Sequence, residues 1–74
     1  MALYDNAVNL AKEYIGPAGQ RFLDRQISSH LKLNPSELTR SNLPELSKWC
    51  FISGRLLIDE KQAVEFRDKI SSLA

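Results

Sequence analysis

The stretch "NPSELTRSNLPE", residues 34–45, decides the architecture. It holds two helix-start signals in succession. Asn34 is a capping residue, Pro35 suits a first helical turn, and Glu37 completes a capping box by reaching back to the cap. Asn42 and Glu45 repeat the pattern around Leu43 and Pro44. Starts this close together leave room for only a short helix over about 35–40, followed by a main helix over about 43–56. The segment between them is therefore expected to be a capped corner, with Leu31, Leu33 and Leu38 sealing a core.

The competing reading takes "QISSHLKLNPSELTR", residues 26–40, as a helix-turn-helix. Ile27, Leu31, Leu33 and Leu38 fall where that motif needs apolar contacts, and Ser28 is small where its helices meet. Asn34, Ser36, Thr39 and Arg40 would then be offered to the DNA major groove. Thr and Arg suit phosphate and base contacts. Three features oppose it. Lys32 stands at the turn position where glycine is usual. The recognition helix would be cut short by Asn42 and Pro44. The net charge is only +1, from ten basic and nine acidic side chains, which gives little phosphate attraction.

Outward from this corner, helical periodicity recurs and strand-like alternation is absent. A first helix over about 2–15 places Leu3, Ala7, Leu10 and Tyr14 on one stripe and Tyr4, Val8, Ala11 and Ile15 on the next. Gly16 ends it and Pro17 opens a second helix over about 17–32, striped by Leu23, Ile27 and Leu31. The small Ala18 and Gly19 predict a close helix approach there. The main third helix carries Leu43, Leu46, Trp49, Cys50, Ser53, Leu56 and Leu57 on one face. Asp59 with Gln62 starts a fourth helix over about 60–73, buried through Ala63, Phe66, Ile70 and Leu73. The expected fold is all-α: one domain, residues 1–74, forming a compact four-helix orthogonal array or bundle with an additional short helix near 35–40.

Catalytic signatures are missing. There is no glycine-rich phosphate loop, zinc-ligand spacing or Ser-His-Asp set, so neither an enzyme nor a cofactor is expected. His30, the single histidine, falls on the apolar side of helix 2, which favours a packed, hydrogen-bonded histidine over a phosphoacceptor. Cys50, the single cysteine, falls on the core face with no basic residue one turn away, and reads as a buried inert thiol. Phe51 and Ile52 lie off the buried stripe of helix 3. Either that helix is buried on most sides, or these two form an exposed patch that docks a partner. Phe22 and Val64 raise the same question. The candidate protein interface is thus Phe51, Ile52 and Phe22.

The stretch "YIGPAGQRFLDRQISSHL", residues 14–31, resembles a pattern in small helical modules appended to bacterial signalling proteins, among them kinases and roadblock-type regulators. There an Ile-Gly-Pro is followed by a small residue and an apolar pair. The likeness covers residues 10–31. It implies a docking or oligomerisation module without chemistry of its own. The overall expectation is a non-enzymatic bacterial interaction module in the cytoplasm, binding a protein partner or itself and no membrane. DNA is a partner only under the helix-turn-helix alternative.

Overall fold

The computed structural model describes residues 3–73. Four α-helices follow one another: α1 (Leu3–Ile15), α2 (Gly19–His30), α3 (Leu43–Gly54) and α4 (Glu60–Ser71). Two single-turn 3-10 helices, Pro35–Glu37 and Arg40–Asn42, lie between α2 and α3. The described residues contain no strand, and the fold is all-α as expected. The expected start of the first helix at Ala2 lies outside the described residues.

α1 ends where Gly16 enters the left-handed region at φ +94°, a conformation that costs glycine nothing sterically. Pro17 does not begin α2. The Gly19 N–H donates to the Gly16 carbonyl at 2.8 Å, so residues 17–18 are spent on a tight turn and the helix starts at Gly19. At the other end α2 stops at His30, short of the expected 32. Lys32 takes φ +60°, and the Leu33 N–H folds back onto the Ile27 carbonyl at 3.3 Å. Lys32 thus adopts the backbone that a turn glycine would, so its presence does not prevent the turn.

The corner is broken, but upstream of where the capping pattern placed the break. Leu38 (ψ 129°) and Thr39 (φ −127°, ψ 170°) are extended. The single helix expected near 35–40 is replaced by the two 3-10 turns on either side of them. The Asn34 N–H donates to Glu37 Oε1 at 3.0 Å, and the capping box expected at Asn34 and Glu37 is formed. Asn42 does not cap α3. It is itself helical, and its Oδ1 accepts from the Thr39 N–H and the Thr39 hydroxyl, both at 2.9 Å. The capping role therefore moves three residues back, to Thr39, and the second 3-10 turn runs directly into α3. Asp59 caps α4 as expected, accepting from the Gln62 N–H at 2.8 Å.

Each helix packs chiefly on two others, so the four close a cycle: α1 on α2, α2 on α3, α3 on α4, and α4 back on α1. The core inside it is built from Ala7, Ala11, Leu23, Ile27, Leu43, Leu46, Cys50, Phe66 and Ile70. Its radius of gyration, 10.6 Å, is at or below the ~11 Å of a compact chain of this length. Phe66 stacks on Tyr14 (ring centroids 5.5 Å apart) and meets Phe22 at 6.2 Å, joining α1, α2 and α4. No described helix is long and apolar enough to cross a membrane.

Candidate functional site

The expected interface residues separate in the structure. Phe22 is not a surface anchor. It is 8% exposed and belongs to the core, because α4 brings Phe66 against it. Phe51 is half-buried, held between two guanidinium groups, with Arg55 at 5.3 Å and Arg67 at 5.0 Å from its ring centre. Such cation–π contacts occupy the ring. Ile52 alone is exposed, at 42%.

The larger exposed apolar surface comes from residues expected to be buried. Leu56 is 84% and Leu57 65% exposed. The periodic stripe of α3 does not extend to them because the helix stops at Gly54. The Leu57 and Ile58 N–H groups both donate to the Gly54 carbonyl at 2.9 Å, and the chain turns through residues 55–57 towards the Asp59 cap. Both leucines stand at this turn, four and five residues after Ile52.

They border a groove of about 370 Å³ between α2 and the end of α3. Phe22 contributes apolar surface, while Arg21, Arg25 and His30 line the α2 side. The two sides are tied by a polar bridge. The Ser53 hydroxyl donates to Gln26 Oε1 at 3.0 Å, and Gln26 Nε2 donates to the Phe22 carbonyl at 3.3 Å, which satisfies an amide that is otherwise buried. Behind His30 lies Trp49. Their rings are parallel within 6° and 3.8 Å apart, and Trp49 Nε1 is buried with no hydrogen-bond partner. His30 is packed as expected, but by stacking on Trp49 and not by the expected side-chain hydrogen bond.

The alternative DNA contacts Asn34, Ser36, Thr39 and Arg40 are all exposed. They do not share a helix face, since no α-helix covers residues 31–42. The Thr39 hydroxyl is engaged by Asn42 and Ser41. A groove-reading helix is therefore not formed by these residues.

Cys50 is fully buried, and burial pushes its thiol up to about 12. No charged partner is involved, so the group is an inert thiol of the core. Above about pH 9 the unfolded thiol ionises while the folded one stays protonated. Unfolding then releases a proton, and stability should fall by ~1.4 kcal/mol per pH unit between about 9 and 12. Urea unfolding of wild type and Cys50→Ala across this range tests it. Equal slopes for the two proteins would show that Cys50 ionises alike in both states. No group of three or more potential metal ligands exists among the described residues.

The chain matches no known family model, and no curated protein or solved structure is significantly similar to it.

Proposed function

We propose that this chain is a non-enzymatic helical interaction module that docks another protein through Leu56, Leu57 and the adjoining groove, in the manner of the appendages of bacterial signalling proteins. The supporting observation is the pair of leucines, 84% and 65% exposed, beside an apolar groove. A domain this small gains from every apolar side chain it can bury, yet these two contribute little to its own core. Covering an exposed leucine contributes ~1.5–3 kcal/mol, so the pair supplies enough to matter against the cost of association. The one thiol, Cys50, is buried in the core away from the groove, in keeping with a binding role.

Leu56→Asp/Leu57→Asp is the direct test. Neither residue supports the core, so its thermal unfolding should stay within about 0.5 kcal/mol of wild type. Immobilised wild type should retain a protein from the source cell that the double variant loses. Retention of the same proteins by both would remove the leucines, and with them this reading.

A further inference from the structure

The groove has a sign as well as a shape. Arg21 and Arg25 are one helical turn apart on α2, both exposed, and both line it beside His30. No carboxylate lines it. The nearest acid in sequence, Asp24, is turned to other work: the Tyr4 hydroxyl donates to its Oδ1 at 2.5 Å across the α1–α2 contact. Neither arginine forms an ion pair among the described residues. Leu56 and Leu57 present apolar surface beside two cations that form no ion pair among the described residues.

We infer that the groove takes an amphipathic helix of a partner protein whose apolar anchors are flanked by acidic side chains. This inference rests on the docking role proposed above and names the chemistry of the partner. A helix laid in a groove offers anchors at every third or fourth residue, and its flanking carboxylates meet Arg21 and Arg25. A second copy of this chain fits less well. A two-fold contact here would bring the arginines of both copies together, and a head-to-tail contact would leave the assembly open-ended. A groove of about 370 Å³ also accepts projecting side chains better than another convex bundle.

Trp49 supplies the readout. It is the single tryptophan, and the His30 ring stacked on it lines the groove. Two tryptophan-free synthetic helices with the same leucine register would be titrated, one flanked by Glu and one by Lys. The Glu peptide should change Trp49 emission with a Kd on the order of 10 µM and bind at least about tenfold tighter than the Lys peptide. Raising salt from about 0.05 to about 0.5 M should narrow that gap. Arg21→Glu/Arg25→Glu should invert the preference, and Leu56→Asp/Leu57→Asp should abolish binding of the Glu peptide. Arg21→Gln/Arg25→Gln, which adds no new charge, should remove the preference. Equal binding of both peptides, unaffected by the arginine variants, would overturn the acidic partner while leaving a leucine-based docking surface. Binding of neither, with retention of the cellular protein still lost on Leu56→Asp/Leu57→Asp, would do the same. Salt-sensitive binding of duplex DNA through these arginines, or a wild-type dimer in sedimentation that the leucine variant lacks, would replace the acidic helix with another occupant.

Discussion

Phe66→Ala should remove about 3–5 kcal/mol of the domain's stability. Phe66 is fully buried and is the side chain on which three helices converge: Tyr14 of α1 stacks on it and Phe22 of α2 meets it at a tilt. Truncating a core phenylalanine costs ~3–5 kcal/mol, from lost transfer energy and from the cavity left behind. A chain of this length has a total stability of about 4–11 kcal/mol. The loss is therefore a large fraction of the whole. Far-UV circular dichroism with urea titration measures it directly. A loss below about 1 kcal/mol would mean that the three rings do not organise the core. Phe66→Leu, which keeps most of the volume, should lose less.

Gly19→Ala should cost more than its single added methyl suggests, because of where that methyl goes. A Cβ at Gly19 would lie 2.5 Å from the Ala11 carbonyl carbon and oxygen and 2.6 Å from the Lys12 nitrogen. These are backbone atoms of α1, and no rotamer change moves them. The helices must separate, and overpacking of this kind costs ~1–3 kcal/mol or more. Alanine's better helix propensity, worth up to ~1 kcal/mol, offsets only part of that. Ala11→Gly should not rescue the variant, since the clash is with the main chain of residue 11 and not its methyl. Rescue would show that the helices touch through side chains. Both measurements are urea unfolding curves at constant pH.

The close approach at Gly19 was legible in the sequence, because the small Ala18 and Gly19 put no bulk where α2 begins. So were the α1 stripe, the end at Gly16, the Asp59 cap and the burial of Cys50. Each is a local pattern with a local cause. The exposure of Leu56 and Leu57 was not read from periodicity, because a helical wheel continues past the residue where the helix stops. A signal was nevertheless present. With Asp59 as the cap of α4, the residues just after Gly54 must form the connection, and Leu56 and Leu57 fall inside it. Phe22 was misplaced for a different reason. Its burial depends on Phe66, far along the chain, and no spacing within α2 reports it. The arginine pair went unnoticed because its importance lies in an absence of partners. Asp24, the nearest acid in sequence, instead accepts from Tyr4 on the neighbouring helix.

The capping pattern at residues 34–45 shows what such signals can and cannot say. It correctly announced that no single rod runs through this segment. It assigned the wrong residue to the task, since Thr39, Arg40, Ser41 and Asn42 form a turn whose own box leads into α3. Two candidate caps three residues apart are separable only when backbone geometry is known. Asn42 is helical and Thr39 extended, and that difference decides between them.

The cycle of helices has one more implication. α1 and α4 run in opposite directions: Asn6 shares a shallow surface pocket with Leu73, while Tyr14 lies against Phe66. The entry to the first helix and the exit from the last consequently sit side by side. A unit whose first helix starts where its last one finishes can be spliced into an exposed turn of a larger host without prying that turn apart, and a brief tether from the finish of α4 to the start of α1 would let the fold be opened instead at the extended Leu38–Thr39 step.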